Sequence, residues 1–135
     1  MTRATGRKTA CTVADARARF DDAQRFLRAA ELLTEPGNGD VAATNAIHSA
    51  IAAADVLCCL HLGHRSNDGN HNAAVQLLKE INPRFAQQLR RALDHKQHAG
   101  YESRSLSDAD AATCVDQATK LLEAAQKALL GADHR

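Results

Sequence analysis

Large aromatic side chains are nearly missing from this chain of 135 residues, which has no Trp, one Tyr and three Phe. β-Strands are rich in aromatic and β-branched residues, whereas Ala, Leu, Glu, Gln, Lys and Arg favour helices. Hydrophobic residues make up 44% of the chain, and much of that share is Ala. The composition therefore predicts an all-α fold in which small side chains let the helices approach one another closely.

An excess of charge of one sign is also missing, since 17 basic residues accompany 16 acidic ones. A net charge of +1 gives no general attraction to nucleic acid or membrane, so any such affinity would need a local patch. No apolar run approaches the roughly 18 residues of a membrane span. The basic N-terminus lacks the apolar segment that follows it in a secretory signal. We therefore expect no membrane partner.

Cysteine is scarce and irregularly spaced, at Cys11, Cys58, Cys59 and Cys114. No spacing among the four is typical of a disulfide framework or a zinc knuckle. A buried free cysteine behaves as a small hydrophobic residue. We interpret all four as reduced thiols, which favours a cytoplasmic location because disulfides are rare there.

Hydrophobic residues that recur every three or four positions predict four long helical segments, one of them broken at Pro83. Short loops between such segments favour an antiparallel bundle of four to five helices. Residues 1–11 are expected to be a disordered N-terminal segment, and residues 12–131 a single helical-bundle domain. The predicted helical ranges are 13–33, 40–62, 71–81, 83–101 and 107–131.

Several residues are candidate helix ends. Thr12 with Asp15, and Ser107 with its acidic first turn, are typical N-caps, and Asp40 is the expected cap of the second helix. Gly63 and Gly131 are expected to end the second and the last helix. The second helix is apolar around much of its circumference, which indicates the central position in the bundle.

Asp55 lies in the middle of that apolar helix, in line with His48. A buried carboxylate needs partners, and His71, Arg65 or a basic residue near Lys96 are candidates. We interpret Asp55, His48 and His71 as a structural polar network that fixes the helix register. A catalytic acid is the alternative interpretation.

A second polar cluster follows Pro83. Residues three and four apart share a helix face, so Arg91, His95 and His98 can line up. A histidine can remove the proton of a ribose 2′-hydroxyl, and an arginine matches phosphate oxygens. An ordinary solvated helix face is the alternative. The cluster consists of Arg90, Arg91, His95, Lys96, His98 and Tyr101.

The histidines also permit a metal hypothesis, because Cys58, His61 and His64 follow one another at steps of three. Cysteine and histidine are the ligands that zinc prefers. No pair repeats a known metal signature, so we expect no metal and no cofactor. A metal-binding bundle would require His61 or His64 close to His95 or His98.

Two stretches resemble the HEPN family, whose small helical bundles occur in bacterial toxin–antitoxin pairs, RNA-cleaving defence proteins and nucleotidyltransferase partners. Residues 45–57 are similar to its small-residue central helix, and a glycine-bearing loop and His71 follow. Residues 93–101, followed by Ser107 and a long helix, resemble its C-terminal half. The resemblance covers roughly residues 14–130.

The resemblance implies a domain that binds or cleaves RNA as a homodimer, in one form as a toxin component. An enzyme of this kind is a metal-independent endoribonuclease, with Arg91, His95 and His98 as catalytic residues. Family ribonucleases separate their Arg and His by four to six residues, although Ala92 follows Arg91 where they usually have a polar residue. The alternative is a non-catalytic interaction module that partners another protein such as a nucleotidyltransferase. The implied substrate-binding residues are Arg90, Lys96 and Tyr101.

Overall fold

Five α-helices make up most of the chain over the part that the structure describes. This computed structural model describes residues 7–33, 35–67, 71–101 and 106–133, and the side chains of residues 96–101 lie outside that description. The helices and two short strands agree with the predicted all-α bundle. In chain order they are β1 (Lys8–Ala10), α1 (Val13–Leu32), α2 (Gly39–Leu62), β2 (His64–Ser66), α3 (Asn72–Ile81), α4 (Pro83–Tyr101) and α5 (Asp108–Asp133).

Helix α2 is the core of the bundle, as its apolar circumference predicts. Its alanines at positions 50 and 52–54 are fully buried, and Leu57 is 1% exposed. Contrary to our expectation of no membrane-length run, α2 is long and apolar enough to cross a membrane, with a mean hydropathy of 1.4. However, 78% of that window is buried inside the bundle. Such burial is typical of the central helix of a bundle.

The other helices surround α2 with defined directions. Ser49 on α2 donates to the carbonyl oxygen of Ala23, which joins the antiparallel helices α1 and α2. The ion pair of Arg17 with Asp133 joins the start of α1 to the end of α5. Helices α2 and α5 start at the same end, because Gly39 lies directly against the backbone of Ser107.

The helix ends confirm part of the predicted capping. Thr12 and Asp15 form a reciprocal capping box on α1, with N–O distances of 2.8 and 3.1 Å. Ser107 caps α5 in the same manner with Asp110. Asp40 is not the cap of α2, which begins one residue earlier after Asn38.

The C-terminal ends of α2 and α5 differ from each other. Gly63 ends α2 in the left-handed region, at a φ of 78°, where glycine has no steric cost. Gly131 does not end α5, because the helix continues to Asp133. A single glycine costs a helix only about 1 kcal/mol relative to alanine, too little to stop this one.

The N-terminal segment corrects two predictions. Strand β1 pairs antiparallel with β2, so residues 8–10 are ordered, and residues 1–6 lie outside the described residues. Cys11 and Cys59 form a disulfide, contrary to the prediction of four reduced thiols. The fold brings them together because β2 turns back from the end of α2 and places β1 beside the last turn of that helix. Without four free thiols, the argument for a cytoplasmic location loses its premise.

The two other cysteines agree with the prediction of small buried residues. Cys58 and Cys114 are free and buried. Burial raises the pKa of each thiol from 9.0 to about 12. Because the thiolate is the reactive form, both are chemically inert at neutral pH.

Candidate functional site

A groove of about 970 Å³ runs along the C-terminal half of α5. Helix α5 forms one wall from Gln117 to Ala132, and the first half of α4 forms the other. At a rise of 1.5 Å per residue, that stretch of α5 is roughly 22 Å long. The end of α2, with Leu57, Leu60 and His61, closes the third side. The groove is therefore long enough for an extended ligand.

The lining of the groove combines an apolar floor with small side chains. Leu57 is fully buried beneath it, and Phe85 of α4 is half-buried with part of its side chain accessible. On α5, Ala124 and Ala128 line the groove one turn apart. Because these alanines have short side chains, they leave space beside Phe85.

The rim of the groove is strongly basic. Arg84 and Arg91 come from α4, seven residues apart and thus on one face, and Lys120 and Lys127 come from α5 with the same spacing. Glu123 is the one carboxylate that lines the groove among the described residues. All four cations are exposed. This is a local positive patch on a chain whose net charge is only +1.

Most of these cations are electrostatically available. Lys120 pairs with Asp116, at an N–O distance of 3.0 Å on the exposed face of α5. Arg84, Arg91 and Lys127 make no ion pair with any described residue, whereas Arg17, Arg19, Arg25 and Arg65 all do. The basic charge along the groove is therefore left for a ligand.

Two glutamines at the groove carry buried oxygens without partners. Gln88 of α4 and Gln117 of α5 both line it, and Gln117 is only 4% exposed. The Oε1 atom of each is buried and accepts no hydrogen bond from the described residues. An unpartnered buried carbonyl is energetically costly. Such costs are tolerated mainly at functional sites.

The predicted catalytic residues are divided by the structure. Arg91 lines the groove. His95 does not line it; its Nδ1 donates to the carbonyl oxygen of Arg91 at 2.9 Å, and its Nε2 lies 3.5 Å from Asp110 of α5. The side chain of His98 lies outside the described residues. Arg91 and His95 are thus neighbours on α4 whose side chains face different surroundings.

The predicted substrate-binding residues lie away from the groove or outside the description. Arg90 is exposed and does not line the groove. The side chains of Lys96 and Tyr101 belong to the part of α4 that is not described beyond its backbone. The metal alternative gains no support, because the described residues include no group of three potential ligands.

Asp55 is buried as predicted, and its side chain is 7% exposed. Its carboxylate accepts from Arg19 Nε at 2.9 Å, and Arg65, one of the candidate partners, lies 3.8 Å away. Burial raises the pKa of Asp55, and the two arginines offset part of this shift. Of the predicted network, His48 stacks on Phe26 with a centroid distance of 5.2 Å, and His71 precedes α3.

Sequence reasoning missed most of the groove residues. Their signal is the helical spacing: Arg84, Gln88 and Arg91 share one face of α4, as Lys120 and Lys127 do on α5. The sequence does not show that this face of α4 packs beside that face of α5. Comparisons with protein-family models, with curated proteins and with solved structures find no match to this chain.

Proposed function

We propose that this bundle binds single-stranded RNA along the groove between α4 and α5. The observation that carries the proposal is the concentration of four cations on one groove of a nearly neutral protein. Cations that track a phosphate backbone supply most of the affinity of sequence-independent binding. Three of the four form no ion pair with a described residue, so neutralising a ligand's phosphates breaks no internal ion pair at these positions.

Phe85 adds the second element of a single-strand site. Proteins that bind single strands combine a basic groove with aromatic side chains on which bases stack. Phe85 lies between Arg84 and Gln88 in sequence and lines the same groove. A base on the Phe85 ring would place its phosphates near Arg84 on the rim.

The resemblance to the HEPN family favours RNA as the strand. It also predicts cleavage by Arg91, His95 and His98, a homodimer and a role as a toxin component. We favour binding over cleavage because both ring nitrogens of His95 face protein atoms, the carbonyl of Arg91 and the carboxylate of Asp110. In that arrangement the ring is not directed at a substrate hydroxyl.

A protein-interaction module is the second candidate. Ala124, Ala128 and Gly131 line one wall at steps of four and three residues, above an apolar floor. A partner helix with an acidic face would fit such a groove. This candidate corresponds to the predicted partner role, for example with a nucleotidyltransferase.

RNA binding is tested by the fluorescence anisotropy of a labelled single-stranded RNA, titrated with protein at several salt concentrations. We expect Arg84→Gln and Lys127→Gln each to weaken binding and to reduce the salt slope by about 0.7. Lys79→Gln is the matched control, because Lys79 is exposed on α3 and does not line the groove. No binding at low salt, or an equal loss in the control, would refute the proposal.

Cleavage is tested separately by incubating the same RNA with the protein in EDTA. We expect the RNA to remain intact. Cleavage that disappears in Arg91→Ala, His95→Ala and His98→Ala would instead establish a metal-independent endoribonuclease and identify its residues.

A further inference from the structure

We infer that Gln88 and Gln117 recognise a nucleobase in this groove and select one with an exocyclic amino group beside a ring nitrogen, as in adenine; the inference rests on the proposed RNA binding. The two residues line the groove on its two walls, α4 and α5. Each has a buried Oε1 atom that accepts no hydrogen bond within the described structure. Once the amide turns toward the groove, such an oxygen is stabilised by a ligand that brings a donor to it.

The position of Gln88 relative to Phe85 connects the amide to a base. These residues are three positions apart on α4 and therefore share a face. A base stacked on the Phe85 ring presents its edge toward Gln88, while Arg84 on the preceding turn is available for the phosphate. Stacking, edge recognition and charge pairing then come from consecutive turns of one helix.

Gln117 supplies the complementary contact from α5. It is 4% exposed, so its amide belongs to the floor of the groove rather than to the rim. The last side-chain torsion of glutamine is broad, and rotation about it turns the amide toward a ligand at little cost. The basic rim binds any strand, and the amides at the floor add selectivity.

The chemistry of the amide determines which base fits. A glutamine amide accepts from the N6 amino group of adenine and donates to its N7, as a bidentate pair. Cytosine offers its N4 amino group and its N3 in the same way. Uracil and inosine present a carbonyl oxygen in place of that amino group. Such a base leaves the glutamine oxygen facing another acceptor, so the buried oxygens remain unsatisfied.

Inosine is the sharpest comparison, because it differs from adenosine in this amino group while keeping the same ring system for stacking. Labelled six-residue RNAs of adenosine and of inosine are titrated in parallel with the wild-type protein. We expect the adenosine strand to bind about tenfold more tightly, within the range of one bidentate contact. Equal affinities for the two strands would overturn the inference and leave RNA binding intact.

Gln88→Met and Gln117→Met keep the side-chain size and remove the amides. Each is expected to bring the two affinities together while the salt dependence stays the same. Gln126→Met is the control, because Gln126 is exposed on α5 and does not line the groove. Retention of the adenosine preference in both groove variants would contradict the inference, and urea denaturation of each variant verifies that it is folded.

ATP distinguishes a strand from a free nucleotide with the same base and phosphates. We expect ATP to displace the adenosine strand only weakly, because it cannot reach all the cations along a groove roughly 22 Å long. If ATP binds as tightly as the strand, the groove is a nucleotide site and the strand proposal is overturned. If neither RNA binds, the proposed function and this inference both fail.

Discussion

Burial of the Asp55 carboxylate costs hydration free energy, and nearby arginines offset part of that cost. Asp55 is 5% exposed in the most apolar helix of the bundle, where a carboxylate loses its hydration. Arg19 and Arg65 come from two other elements to compensate the charge. Desolvation is nevertheless the largest influence and raises the pKa of Asp55 above 3.8. The carboxyl therefore links stability to pH.

Replacing Asp55 with asparagine should remove that link. Between pH 3.8 and the raised pKa, the folded protein holds more protons at this site than the unfolded chain. The free energy of unfolding of the wild type therefore falls as the pH rises through this window. We expect Asp55→Asn to gain stability relative to the wild type over the same window, as measured by urea denaturation at a series of pH values. A difference that is constant with pH would contradict this.

Gln117 is the opposite case, because its buried Oε1 atom accepts no hydrogen bond from the described residues. Gln117→Met keeps the shape and removes the carbonyl, whose desolvation costs about 1–3 kcal/mol. We expect the variant to unfold at a higher urea concentration, with a free energy of unfolding greater by about 1 kcal/mol. Gln126→Met at an exposed position should change stability by much less. A destabilised Gln117→Met variant would show that the amide is structurally required.

The sequence predicts the burial of Asp55 and offers Arg65 as one of several candidate partners, but it does not indicate Arg19, which lies closer. In the sequence, Arg19 falls outside the hydrophobic residues that recur along α1. The guanidinium nevertheless reaches 2.9 Å from Asp55 while the side chain stays 30% exposed. A long side chain can lie on one face and place its charge on another, which a pattern of Cα positions does not describe.

The starts of α2 and α5 approach each other closely at Gly39. Among the described glycines, this is the position where an added Cβ atom would meet its nearest neighbours at the shortest distance. A Cβ atom on Gly39 would lie 2.6 Å from the carbonyl carbon and oxygen of Ser107. Those atoms belong to the backbone at the cap of α5 and cannot turn aside. The small residue at this position therefore sets how closely the two helices approach.

Gly39→Ala should be destabilising even though alanine favours helices. We expect a loss of about 1–3 kcal/mol from overpacking, which exceeds the helix-propensity gain. Gly131→Ala is the matched control, because no atom lies within 4 Å of its added Cβ. It should gain about 0.5–1 kcal/mol from helix propensity alone. Urea denaturation measures both, and equal signs for the two substitutions would refute the close-approach argument.

The helices and the N-caps of α1 and α5 were predictable because their determinants are local. The reciprocal bonds of Thr12 with Asp15, and of Ser107 with Asp110, use residues three positions apart. The pairing of β1 with β2 was not predictable, because each strand is three residues long and lacks an alternating pattern. Strand pairing over such a separation depends on where the end of α2 places the chain.

For the whole molecule, the disulfide between Cys11 and Cys59 ties the N-terminal strand to the core helix. The two residues are 48 positions apart, so the bond closes a loop that contains α1 and most of α2. A crosslink of this kind stabilises a protein mainly by restricting the unfolded chain.

Removing the crosslink should destabilise the whole bundle. We expect Cys11→Ser to lower the free energy of unfolding by about 4 kcal/mol under oxidising conditions, from the entropy of closing a loop of this length. With a reducing agent present, the wild type should lose a similar amount, so that the two proteins nearly coincide. Cys58→Ala, which leaves the disulfide in place, should retain the response to reduction. A wild type that ignores the reducing agent while unfolding reversibly would contradict this.

The candidate site forms only when α4 packs against α5, so the sequence predicted only one of the groove-lining cations, Arg91. Arg84 and Lys127 are 43 residues apart and meet only because α4 and α5 are antiparallel neighbours. Spacing within α4 identified Arg91 and His95 as a pair. Packing then separated them, because His95 faces Asp110 at the start of α5.

The dense burial of α2 has a consequence for how this protein tolerates change. Sixteen of its 24 residues are buried, and many are alanines that contact neighbours on several sides. A larger side chain at these positions has no space, and a smaller one is available only as glycine. In a saturation mutagenesis library, we therefore expect non-functional variants to concentrate in α2. The exposed face of α3, and the exposed positions of α5 that do not line the groove, should accept most substitutions.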